Sequence, residues 1–309
     1  MPEFREQLEA AGGGRDILIS TENSEIEKYL DQIEIGMGDI PYTLIPRMMS
    51  FKWWQLWSAG ADILQRLPLL IDLPFQLTTS RGIHGQQIAE HLFAMLLGWN
   101  RRLKEAYKAQ ARHEWLFLRD DELGGALDGK TMLILGYGVI GEFVAKIALA
   151  FNMKVTGLRR HTGKGGQMEG LFLDAAAKMH EHLPLADYVV NILPSTHESK
   201  HLFGAGEFSL MKKSALYINV GRGATTCEAS MIKALGEKSI AGALLDVTEA
   251  EPLPASSPLW DMENVMITGH YAGCHPDYSR MAMAVALENL ARYTRGEELK
   301  NLVNKRDGY

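Results

Sequence analysis

From Lys130 to Phe151 the chain reads "KTMLILGYGVIGEFVAKIALAF": a strand-like run, a turn with three glycines, then an apolar helical pattern. Gly136, Gly138 and Gly141 have the spacing of a βα turn that holds a dinucleotide pyrophosphate. The first makes the tight turn, the second lets backbone approach the phosphates, and the third lets the helix pack on the strand. The helix N-terminus adds the positive end of its dipole. Gly136, Tyr137, Gly138, Val139, Ile140 and Gly141 are therefore the candidate cofactor contacts. About 20 residues past such a turn, an acid normally accepts hydrogen bonds from the ribose 2′-hydroxyl of NAD. Here "TGLRRHTGKGG" (Thr156–Gly166) supplies Arg159 and Arg160 instead. A guanidinium attracts what a carboxylate repels, and it can grip a 2′-phosphate with two parallel hydrogen bonds. The stretch reads as an NADP(H) pocket, Arg159 before Arg160, with NAD(H) still a possible cofactor. The alternative is a pair of solvated loop arginines.

Three later stretches are more specific: "INVGRGA" with Arg222, "DVTEAEPLP" with Glu251 and "MITGHYAG" with His270. Together with "SAGAD", "GIHGQQIAEH", "LPSTHES" and the long block "LLDVTEAEPLPASSPLW", they resemble the D-isomer-specific 2-hydroxyacid dehydrogenase family. The similarity runs over nearly the whole chain and is nearest the glyoxylate and hydroxypyruvate reductase branch. It implies a catalytic set of Arg222, Glu251 and His270. Elementary chemistry agrees with those roles. A 2-keto acid offers a carboxylate and a carbonyl that a planar guanidinium at Arg222 can hold and polarise. Hydride transfer leaves negative charge on the carbonyl oxygen, which a protonated imidazole at His270 can neutralise. A carboxylate at Glu251 would fix that imidazole in one tautomer and favour its charged form.

The resemblance also implies that backbone N–H groups at Ala59 and Gly60 meet the substrate carboxylate alongside Arg222 and His270. It puts Pro194 on the adenosine side of the cofactor and Asp246 at the nicotinamide amide. Trp115 resembles a tryptophan that, in some relatives, reaches a neighbouring subunit's pocket, and a homodimer is expected. Three departures stand out. Gly269 occupies a place where the family commonly has proline, Tyr271 is bulky, and Cys227 replaces a common acid as a surface or helix-cap change.

The elements that must carry these residues alternate from Lys130 onward. The runs "TMLIL", "KVTGL", "ADYVVNIL", "ALYINV", "AGALLDV" and "NVMIT" read as six strands, most of them separated by helices. Continuous apolar strands with intervening helices imply a parallel sheet covered on both faces. The fold class expected is α/β in two domains: a doubly wound parallel-sheet (Rossmann) cofactor domain and a smaller flavodoxin-like α/β substrate domain. The substrate domain is assigned to residues 1–83 and 284–309 and the dinucleotide-binding domain to residues 84–283, with the active site in the cleft. Before them, "DILIS" and "KWWQLW" look strand-like. Ile88, Leu92, Met95, Leu96, Trp99 and Leu103 recur at helical steps, predicting one helix from about Gln86 to Ala111 for a core or dimer face. A last helix is expected at about Pro276–Thr294, with the tail after it returning to the first domain.

Composition narrows the class. The 309 residues carry 32 Lys+Arg against 38 Asp+Glu, a mildly acidic balance with no call for nucleic acid or an anionic membrane. Two cysteines imply no disulfide framework, and the charged start is not a secretory signal. The run "LFAMLLGW" is too short to span a bilayer. The expectation is a cytoplasmic enzyme. The group "HYAGCHPD" lacks the second ligand cluster a structural zinc needs, so no metal is expected. His180 and His182 read as solvent-facing.

The expected activity is hydride transfer from NADPH to a small 2-keto acid, giving the D-2-hydroxy acid. Two alternatives remain. One is an NAD-linked dehydrogenase of the same family, of D-lactate or phosphoglycerate type. The other is a nucleotide-sensing regulator built on the same fold.

Overall fold

The computed structural model describes residues 4–160 and 168–308, and the chain divides into two compact units. One comprises residues 84–274, the other residues 1–83 with 275–309. The second crossing falls at His275 and not at 284, which keeps the final helix, Tyr278–Arg295, whole.

The smaller unit holds a three-stranded parallel sheet of β1 (Ile35–Met37), β2 (Trp53–Gln55) and β3 (Gln76–Thr78), in that order. "DILIS" forms no strand. Trp53 is fully buried under the final helix, against Met283, Ala286 and Leu290, and stacks on Tyr293 at 5.5 Å. The tail does return here: Val303 N–H donates to Leu77 O, and Leu302 makes an antiparallel bridge with Thr78.

The larger unit is a seven-stranded, all-parallel sheet. Its strands are β4 (Thr131–Leu135), β5 (Lys154–Arg159), β6 (Leu171–Ala175), β7 (Tyr188–Asn191), β8 (Leu216–Asn219), β9 (Gly242–Leu245) and β10 (Val265–Ile267). Their order is β10-β9-β8-β7-β4-β5-β6. The apolar runs are continuous because successive side chains serve opposite cores. Met132, Ile134, Val190 and Ile218 face one cluster, and Leu133, Leu135, Val189 and Tyr217 face the other. β6 is the strand missing from the six expected. It pairs only with β5 and is half exposed, with Phe172 open to solvent, so it lacks the signature of a covered strand.

The expected long helix is two, Gly85–Asn100 and Leu103–Ala111. The Asn100 carbonyl accepts from Gly124 N–H, outside the helix, and Arg102 turns left-handed at φ 56. Ile88, Leu92, Met95 and Leu96 pack in the core as their spacing required, whereas Leu103, beyond the break, is exposed. Among the described residues no helix is long and apolar enough to cross a membrane.

Candidate active site

In an all-parallel sheet every strand ends on the same edge, and ligands bind there, where the strand order reverses. The reversal lies between β4 and β7. The glycine turn follows β4, Arg159 closes β5, Pro194 follows β7, Arg222 follows β8, Asp246 follows β9 and His270 follows β10. Parallel topology thus gathers residues that are far apart in sequence.

Gly136 sits at φ +86, and a Cβ there would come within 3.1 Å of the Ile192 backbone. Gly136 N–H and Tyr137 N–H both donate to Leu158 O, so the turn leans on the strand residue just before Arg159. Gly138 caps the helix Val139–Ala150 with no side-chain cap bond, and a Cβ there would meet only Gly136 O, at 4.0 Å. This open cradle at a helix N-terminus fits a pyrophosphate. Gly141 is buried against Ile134 and the Tyr137 ring, Ile140 packs toward the core and Val139 is exposed. Burial pushes the Tyr137 phenol up to about 12; Glu142 adds to this and Arg159 opposes it.

Arg159 is half-buried, while Arg160 is exposed and ion-paired with Glu198. The remainder of the arginine-rich stretch, 161–166, lies outside the described residues. Pro194 is exposed, and its carbonyl accepts from Ser199 Oγ at 2.6 Å.

Arg222 stands between two glycines pressed on other loops. A Cβ on Gly221 would come within 2.9 Å of the Ile192 backbone, and one on Gly223 within 1.9 Å of Thr248 O. Close approach is what those glycines supply. The Arg222 loop therefore abuts the Thr248–Glu251 loop, and Arg222 Nη1 donates to Gly221 O. Glu251 Oε1 accepts from Thr248 N–H at 3.2 Å, and its Oε2 lies 2.6 Å from His270 Nδ1. Side-chain exposures of 46% for His270 and 37% for Glu251 leave the pair open to a ligand.

Asp246 is spoken for internally. Its side chain is 2% exposed. Its oxygens accept from Thr268 Oγ1, Tyr271 N–H and Ala272 N–H. The expected contact to a nicotinamide amide would have to come from a carboxylate already holding three donors.

Ala59 and Gly60 belong to the smaller unit, in the loop after β2, where Ser58 Oγ donates to Gly60 O. Trp115 is 94% exposed. Cys227 occupies the N-cap position of the helix Glu228–Gly236, with no cap hydrogen bond from its side chain. His180 is exposed, but His182 is mostly buried and lies 3.0 Å from Asp174, which corrects its solvent-facing expectation. Among the described residues no cluster of three or more His, Cys, Asp or Glu could hold a metal ion.

The sequence reading singled out neither His84 nor His91. His84 is buried just before the helix Gly85–Asn100, with its Cδ2 3.0 Å from where a Cβ of Gly273 would be. Burial, and then the charge of Arg222, hold its imidazole below the ordinary histidine pKa. His91 contacts Thr268 and Tyr271. Their only sequence signal was membership of "GIHGQQIAEH".

Comparison with known proteins follows the same lines. Residues 93–272 match the D-isomer specific 2-hydroxyacid dehydrogenase, NAD binding domain. The chain is 36% identical over 271 residues to glyoxylate/hydroxypyruvate reductase B of Enterobacter sp. (strain 638), spanning 84% of this chain and 80% of that one. It is 38% identical over 240 residues to glyoxylate reductase of Aeropyrum pernix, spanning 75% and 70%. Among solved structures it is similar to the NADPH-dependent glyoxylate/hydroxypyruvate reductase of Sinorhizobium meliloti in complex with NADP and sulfate. That likeness has a TM-score of 0.83 at 28% identity and covers 100% of this chain and 97% of the other.

Proposed function

The chain belongs to the D-isomer-specific 2-hydroxyacid dehydrogenase family, and on that premise we propose that it reduces small 2-keto acids of the glyoxylate and hydroxypyruvate class to D-2-hydroxy acids, with NADPH the preferred donor. The observation that carries this reading is the 2.6 Å Glu251–His270 pair, on the sheet edge that also bears Arg222 and the glycine cradle.

The bound nicotinamide would supply the hydride; the chain's residues do the rest. The guanidinium of Arg222 binds the substrate carboxylate and polarises the carbonyl through a planar fork. With Nδ1 of His270 held by Glu251, Nε2 is the nitrogen that gives its proton to the carbonyl oxygen as negative charge develops there. Glu251 keeps the ring in that orientation and accompanies its positive charge.

The preference for NADPH is supported by Arg159, which closes β5 directly after the strand residue that anchors the glycine turn. A homodimer is part of the same reading, supported by the exposed Tyr107, Trp115 and Phe117, large side chains that a second copy would cover. Sedimentation as a monomer at micromolar concentration would remove it.

The deciding experiment is a steady-state screen of glyoxylate, hydroxypyruvate, pyruvate and larger 2-keto acids with NADPH and with NADH. Turnover of the first two with NADPH is expected. Tight cofactor binding with no turnover across the panel would point instead to a nucleotide-sensing regulator.

A further inference from the structure

At Gly269 the loop bearing His270 is not held by packing. β10 ends at Ile267, and a Cβ on Gly269 would meet nothing within 4 Å. His270 itself is left-handed at φ 55, a conformation that is strained for a residue with a side chain. Such a backbone persists only when its surroundings over-determine it.

The restraint comes from the far side of the loop. His270 N–H donates to Asp246 O at 2.8 Å. Thr268 Oγ1 donates to Asp246 Oδ1 at 2.6 Å, and Tyr271 and Ala272 N–H groups complete the carboxylate's contacts. His91, on the helix Gly85–Asn100, closes the arrangement. Its Nε2 lies 2.9 Å from Thr268 Oγ1 and 3.7 Å from Asp246 Oδ1. Its ring meets Tyr271 edge-on, at 5.3 Å and 85°. The single hydroxyl proton of Thr268 goes to the carboxylate, which only accepts, so His91 Nε2 must carry the hydrogen and donate to Thr268. His91 thereby touches the loop on both sides of His270.

We infer that His91 and Thr268 are positioning residues for His270: with Asp246 they clamp the loop in the left-handed form that presents Nδ1 to Glu251 and Nε2 to the substrate. This rests on the reading of His270 as the proton donor. It also gives the bulky Tyr271 a task, since its ring is one jaw of the clamp.

The test is a double-mutant cycle. Thr268→Val keeps the shape and removes the hydroxyl. It is expected to lower kcat for 2-keto acid reduction about 10- to 100-fold. The Kd for NADPH, read by fluorescence, and the KM for the keto acid should stay within about twofold. Thr268→Ser should restore the rate, and His91→Leu should reproduce the loss. In a His270→Ala background, Thr268→Val should cost nothing further. The inference is overturned if Thr268→Val leaves kcat unchanged, or if it slows the His270→Ala enzyme by the same factor. Thermal melts accompany each variant, and if Thr268→Val does not fold, His91→Leu serves in the same cycle. A His270→Ala enzyme as fast as wild type would instead sink the reading of the site, and this inference with it.

Discussion

Glu251 Oε2 lies 2.6 Å from His270 Nδ1, and the other oxygen of the same carboxylate holds Thr248 N–H. One side chain thus joins the loop after β9 to the loop after β10, and under the proposed function it leaves Nε2 as the imidazole nitrogen for the substrate. His270→Ala should lose about 10²–10⁴-fold in reduction if that nitrogen supplies the proton. Near-normal reduction by that variant would exclude His270 as the proton carrier.

Arg222→Lys keeps the charge but loses the two-pronged geometry. Losing one charge-assisted hydrogen bond costs about 1.5–3 kcal/mol, so kcat/KM for the keto acid should drop by about one to two orders of magnitude. Cofactor affinity should be unaffected. Near-normal turnover would take Arg222 out of the site.

Arg159→Asp should abolish discrimination between NADPH and NADH, chiefly through the KM for NADPH, by about one to two orders of magnitude. Arg160→Ala should matter less, because Arg160 is engaged with Glu198. Equal use of both cofactors by the wild-type enzyme would make Arg159 an ordinary surface residue.

Gly223→Ala would drive a Cβ to 1.9 Å from Thr248 O. Backbone must move, and overpacking of this kind costs about 1–3 kcal/mol. Because the displaced loops carry Arg222 and Glu251, the melting temperature and kcat/KM should fall together. A variant with wild-type values of both would show that the loops are not in contact.

In the smaller unit, Lys52 first, with Arg15 and Tyr293, holds the Glu34 carboxyl down at about 2, below its ordinary 4.5. The folded pKa lies below the unfolded one, so this stabilisation is fully present above about 4.5. It is lost as pH falls from there through about 2. Glu34→Gln should melt at a lower temperature than wild type at neutral pH. The gap should close across that acid window; a gap independent of pH down to 2 would show that Glu34 acts by packing alone.

The sequence by itself determined the local chemistry. The glycine turn, the arginines at the end of β5, six of the larger unit's seven strands and the Arg222, Glu251 and His270 blocks were readable, because each depends on residue type and short-range spacing. Tertiary structure decided what spacing does not encode. β6 escaped notice because an edge strand has one partner and one covered face, which blurs the apolar pattern. The long helix broke at Arg102 because a distant N–H, that of Gly124, takes the Asn100 carbonyl. Asp246 faces the His270 loop because Thr268, Tyr271 and Ala272, some two dozen residues later, bring their donors to it through the β9–β10 pairing. In the sequence His91 looks like an ordinary helix residue and His84 like one just ahead of the helix. They acquire their places only when the helix Gly85–Asn100 is laid on the sheet, since hydrogen bonding and burial are properties of neighbours in space.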